Sequence, residues 1–123
     1  MAVSGLPPYD DTNIFARILR REIPCKRAYE DQWALAFHDI NPQAPTHALV
    51  VTKRHITSLN DLSPEDDQVV GELVRRAAAI AKERGISANG FRTVFNTNRD
   101  GGQTVPHIHL HLLGGRSMHW PPG

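Results

Sequence analysis

Histidines at positions 107, 109 and 111 alternate with Ile108, Leu110 and Leu112 in the stretch His107-Ile-His-Leu-His-Leu-Leu-Gly114. Successive side chains of a strand point to opposite faces, so this spacing sets the imidazoles in one row and the apolar residues in another. A helix would scatter both sets around its axis. The stretch is therefore predicted to be a strand with one face for a core and one for chemistry. Two chemistries use such a row. Alternating imidazoles can chelate a transition metal such as zinc, and a neutral imidazole can act as nucleophile or proton carrier. Just upstream, Asp100-Gly-Gly-Gln-Thr-Val-Pro106 pairs glycines before the strand. A turn of that kind can present main-chain N–H groups to an anion, which beside the histidines points to phosphate chemistry.

The elements that must position this row follow from the rest of the chain. Residues 1–10 are small, polar and proline-bearing and read as a loose leader, leaving 11–123 as a single domain that includes the C-terminal tail. Asp11, Thr12 or Asn13 can cap a short helix. Its apolar side would be Ile14, Phe15, Ile18 and Leu19, with Arg17, Arg20 and Arg21 in water, and Ile23-Pro24 stops it. Arg27–Glu30 and Trp33–His38 read as two strands around a tight Asp31-Gln32 connection. Asp39–Pro45 is a loop, and His47–Thr52 a central, β-branched strand. Ser63-Pro64-Glu65-Asp66 starts the clearest helix. Its stripe is Val69, Val70, Leu73, Val74, Ala77, Ile80 and Ala81, and it closes at Gly85. Phe91–Asn96 is a fourth strand, joined to the histidine strand by a hairpin-type connection through Thr97–Gln103. Gly114–Gly123 is an irregular tail whose Met118 and Trp120 look like an anchor for another surface. The sum is an α+β domain: a five-stranded antiparallel sheet with one long and one short helix.

Composition narrows the function classes. Among 123 residues, 14 Lys and Arg balance 13 Asp and Glu. That is no footprint for a nucleic-acid or membrane binder. A lone cysteine, Cys25, excludes an intrachain disulfide and fits a reducing, cytoplasmic setting. No apolar run reaches the length of a membrane span, and no basic-then-apolar secretory signal opens the sequence.

With these residues in view, the chain resembles the histidine triad (HIT) superfamily, whose signature is His-φ-His-φ-His-φ-φ with φ apolar. Within it, the purine nucleoside phosphoramidase branch is the nearest likeness. The segments DTNIFARILRREIP from Asp11, FHDINPQAPTHALV, GGQTVPHIHLHLLGG and the terminal MHWPPG carry the resemblance, in order, along nearly the whole domain.

The resemblance implies a homodimer with the two sheets joined into one. It also implies cofactor-free hydrolysis of purine nucleoside 5′-phosphoramidates, adenosine favoured, to AMP or GMP and an amine. The middle histidine, His109, would attack the α-phosphorus and form a nucleotidyl-histidine. His111 and His47 would polarise phosphoryl oxygens and help orient the row, and His107 would complete the hydrogen-bond and proton network near the leaving group. Asn96, the Gly102 amide and Thr104 would hold phosphate oxygens or the leaving group, and Asp39 the ribose hydroxyls. Ile14, Phe15, Ile18, Phe37, His38 and Ile40 would line the base pocket, and Trp120 would reach the leaving group from the partner subunit. Two residues depart from the branch. Thr104 stands where Ser is common, and Pro106 replaces a bulky side chain, so the strand entrance is expected to be an edge or a bulge. The rivals are a zinc protein ligated by the histidine row and a nucleotide-binding scaffold whose catalysis is incidental. The latter shares the site with the enzyme. Dinucleoside polyphosphate hydrolases and nucleotidyltransferases share related triads, but the compact length and the His-Trp-Pro-Pro tail favour the phosphoramidase branch.

Overall fold

A computed structural model describes residues 4–123. Five strands form one antiparallel sheet: β1 (Arg27–Glu30), β2 (Ala34–His38), β3 (Thr46–Thr52), β4 (Phe91–Val94) and β5 (His109–Gly114), in the spatial order β1-β2-β3-β5-β4. The helices are α1 (Ile14–Leu19), α2 (Asp67–Glu83) and a single turn, α3 (Asn98–Gly101). Among the described residues no helix is long and apolar enough to cross a membrane.

Side-chain alternation sorts the three inner strands into two faces. Ala34, Ala36, Ala48, Val50, Leu110 and Leu112 pack on Leu73, Ala77, Ile80 and Ala81 of α2. Leu35, Phe37, Leu49 and Val51 point the other way and meet Phe15 and Ile18 of α1. Leu110 and Leu112 are fully buried. Each such side chain contributes roughly 1.5–3 kcal/mol by leaving water. The even positions of β5 thus hold the strand on α2, and the odd ones are free to carry chemistry.

Local signals explain the helix ends. Asn13 caps α1, accepting from the Ala16 N–H at 2.9 Å. Ser63 and Asp66 form a capping box over the 3₁₀ turn Pro64–Asp66 that leads into α2, and Gly85 beyond its end sits at φ 75°.

Several expectations need correction. Trp33 lies outside β2, and β4 stops at Val94, short of Asn96. Ile14 and Val74 are exposed, because a six-residue helix covers the sheet with Phe15, Ala16 and Ile18, and Val74 falls between the buried Leu73 and Ala77. The β4–β5 connection is no hairpin. It runs from Val94 to His109 and contains α3. Pro106 lies ahead of β5, which begins at His109; there the strand pairs with β3 alone and gains β4 only from His111, so its entrance is an edge on the β4 side. The leader expected over 1–10 is not loose in its described part. Gly5 is buried, and its carbonyl accepts from the hydroxyls of Thr57 and Ser58. Residues 1–3 lie outside the described residues.

Candidate active site

β3 carries His47, β5 carries His109 and His111, and His107 lies two residues before His109, ahead of the strand. His109 is 4% exposed, and its Nδ1 is 2.7 Å from the main-chain oxygen of His107. A carbonyl only accepts, so Nδ1 carries the proton and Nε2 the lone pair. Burial lowers the His109 pKa despite this hydrogen bond, keeping the ring neutral.

The neighbouring pair is fixed by the same logic. The Gln43 N–H donates to His47 Nδ1 at 3.0 Å. His47 Nε2 therefore bears its proton and donates to His111 Nδ1 at 2.9 Å, with Asp39 Oδ2 as a longer partner at 3.5 Å. That leaves His111 with an N–H at Nε2. Burial, reinforced by the nearby His109 and His47, pushes His111 down to about 4, and burial lowers His47 as well. The site thus offers one lone pair, on His109, beside one N–H donor, on His111. Their ring centroids are 5.0 Å apart.

His107 is different. It is fully buried, and its Nε2 donates to the Thr52 carbonyl at 2.8 Å. Its Nδ1 meets the Tyr9 hydroxyl. Burial outweighs the Thr52 hydrogen bond and brings its pKa to about 4. Both nitrogens are hydrogen-bonded within the protein and its carbonyl holds His109, so His107 belongs to the hydrogen-bond network of the row.

His109 and His111 open into a hollow of about 370 Å³. The expected residues Ile14, Phe15, Ile18, Phe37, His38, Asp39, Ile40 and Thr104 all line it. Phe15 stands edge-on to the His109 ring at 4.8 Å and to Phe37 at 5.6 Å. Pro24, Cys25, Leu49 and Val105 also line it, and sequence reasoning had left them out of the pocket. The parity of β3, which puts Leu49 beside His47 and Val51, was the signal available for Leu49.

Three expected residues are elsewhere. Asn96 and Gly102 do not line the hollow. The Gly102 N–H is already committed to the Arg99 carbonyl at 3.0 Å, closing α3 on a left-handed residue at φ 75°. The paired glycines therefore end a helical turn instead of cradling an anion. Trp120 is 80% exposed, with the Arg92 guanidinium 5.9 Å over its ring.

The histidine row itself does not form a chelate. The converging donor set among the described residues is Asp39, His47 and His111, with ligand atoms within 4.8 Å of one another. The hydrogen bonds from Gln43 to His47 and from His47 to His111 account for that closeness.

A five-stranded antiparallel sheet with a neutral histidine row against an apolar pocket defines the class. The HIT domain family model matches residues 20–118, and the chain belongs to this family. It is 49% identical over 108 residues to the purine nucleoside phosphoramidase of Escherichia coli K12, covering 88% of this chain and 91% of that one. It is 51% identical over 114 residues to an uncharacterised HIT-like protein of Synechococcus elongatus, covering 93% and 98%. In structure it is similar to a HIT family hydrolase from Legionella pneumophila, with TM-score 0.88, 50% identity and coverage of 89% and 98%.

Proposed function

We propose that the chain is a hydrolase of purine nucleoside 5′-phosphoramidates, with adenosine favoured. The observation that carries this reading is the His109–His107 hydrogen bond, which leaves a buried, neutral Nε2 lone pair facing the pocket. Nε2 attacks the α-phosphorus, the P–N bond breaks, and the amine departs with a proton from solvent. Water then attacks the same phosphorus, breaks the bond to Nε2 and releases the nucleoside monophosphate. The His111 N–H supplies a hydrogen bond to a phosphoryl oxygen, and His47 holds that ring's tautomer.

The base lies between Phe15, Ile18 and Phe37, and Asp39 accepts from the ribose hydroxyls. Thr104, on the hollow's rim, offers its hydroxyl to the phosphate or leaving group. The name of the Escherichia coli relative supports this substrate class. No step needs a metal. We further infer a homodimer in which the exposed Trp120 of one subunit reaches the leaving group held by the other, in a cytoplasmic protein. The test is turnover of a fluorogenic adenosine 5′-phosphoramidate in EDTA by the parent and by His109→Ala. A turning-over parent and an inert variant establish the reading. A parent that binds AMP but does not turn over would make the protein a nucleotide-binding module.

A further inference from the structure

The Tyr9 hydroxyl lies 2.5 Å from His107 Nδ1, a contact spanning 98 residues. The direction of that hydrogen bond is determined. His107 Nε2 faces the Thr52 carbonyl, which only accepts, so the proton of the neutral ring is on Nε2. Nδ1 must then accept, and Tyr9 donates. The phenol oxygen in turn accepts from Asn13 Nδ2 at 2.9 Å. The other Nδ2 hydrogen goes to the Asp10 carbonyl, and Asn13 Oδ1 caps α1. One tyrosine thus links the start of the helix that walls the pocket to the histidine whose carbonyl orients His109.

We propose that Tyr9 is a positioning residue for the histidine row: its hydroxyl holds His107, and through the His107 carbonyl His109, in the arrangement that hydrolysis uses. The inference rests on the hydrolase reading above. The segment is built to present this side chain. Upstream of Tyr9, Gly5 donates to Asn98 Oδ1 while its carbonyl takes the Thr57 and Ser58 hydroxyls. A Cβ at Gly5 would stand 2.6 Å from Gln103 Oε1 and 2.8 Å from Ser58 Oγ, so a side chain there would displace one or both of them. The Tyr9 ring stacks on the His55 ring, with centroids 4.3 Å apart and planes at 11°. Burial keeps the phenol above its ordinary range and so protonated as a donor, with Asp10, Asp11, Arg20, His55 and His107 the titratable groups around it.

The test compares the parent with Tyr9→Phe, which keeps the ring against His55 and removes only the hydroxyl. The expected result is a fall in kcat of about tenfold with KM and AMP affinity unchanged. Side-chain nitrogen NMR is expected to show the Nε2–H form of His107 in both proteins, held by the Thr52 carbonyl, with the Nδ1 resonance shifting in the variant as it loses the Tyr9 donor. Leu6→Ala, on the exposed side of the same segment, is expected to behave as the parent. Placing 3,5-difluorotyrosine at position 9 makes the phenol more acidic, so the basic limb of the kcat profile should move to lower pH. A purely structural tyrosine would leave that limb in place. Parent kcat in Tyr9→Phe, an equal loss in Leu6→Ala, or unchanged His107 resonances would overturn the proposal. Should the parent lack phosphoramidase activity, the functional reading falls, and the His107 spectra still decide whether Tyr9 donates to Nδ1.

Discussion

The side chain of His109 is oriented by the main chain of His107, two residues earlier, at 2.7 Å. The pairing follows from where β5 begins. His107 precedes the strand, so its carbonyl is free of the ladder and turns toward the next side chain on the same face. A nucleophile's tautomer is thereby set by backbone, which a side-chain substitution at 107 disturbs only indirectly.

His109→Ala is expected to lower kcat by about 10³-fold or more, since it removes the Nε2 lone pair that attacks the phosphorus. AMP affinity should change by only a few fold. Single-turnover assays and calorimetric titration check the two halves separately. Retained turnover with intact binding would sink the nucleophile assignment.

Acid should destabilise the fold over a defined window. Burial holds His107 and His111 at about 4 in the native state. Unfolded imidazoles titrate near about 6.5. Below that value the unfolded chain takes up protons that the native rings refuse, so this stability is complete above it and declines as pH falls toward 4. Thermal midpoints measured across the window should fall. A midpoint that does not change across the window would contradict the burial argument.

Asp39→Asn should raise KM for a ribonucleotide substrate by about tenfold, the loss of one charge-assisted hydrogen bond. The same change should erase any preference for ribose over 2′-deoxyribose. Comparing the two sugars in both proteins isolates the hydroxyl contact from the 3.5 Å approach of Asp39 to His47.

Chelation should leave activity intact, because the His47–His111 geometry is explained by hydrogen bonds from Gln43 onward. Added zinc is expected to inhibit by capturing Asp39, His47 and His111. Loss of turnover in EDTA with recovery on zinc would restore the metal reading.

Trp120→Ala should leave turnover of a small amine leaving group unchanged and raise KM for a bulky aromatic one. An exposed indole can contribute only to what lies beyond the phosphate. Sedimentation of the parent should give twice the chain mass; a monomer would remove the route by which a partner's Trp120 reaches the site.

The alternation of His109 and His111 with Leu110 and Leu112 was legible in sequence because a strand's two-residue period is a local rule. Helix starts were legible for the same reason: Ser63 and a cap among Asp11, Thr12 and Asn13 act through contacts within a few residues. The structure selects Asn13, while the split of β2 and β3 between α2 and the pocket emerges from packing. Phe15, Phe37 and Asp39 were readable too, but through family resemblance, since nothing local ties positions 15 and 37 together. What sequence left undecided depends on contacts between distant positions. Whether the Gly102 amide is free depends on how α3 closes, and the position of Pro106 depends on where the β5 ladder starts. The Tyr9–His107 contact joins residues with no shared period, in a segment whose composition reads as loose. Local periodicity therefore determined which faces carry chemistry, and only the packed chain decided which nitrogen of each histidine holds a proton.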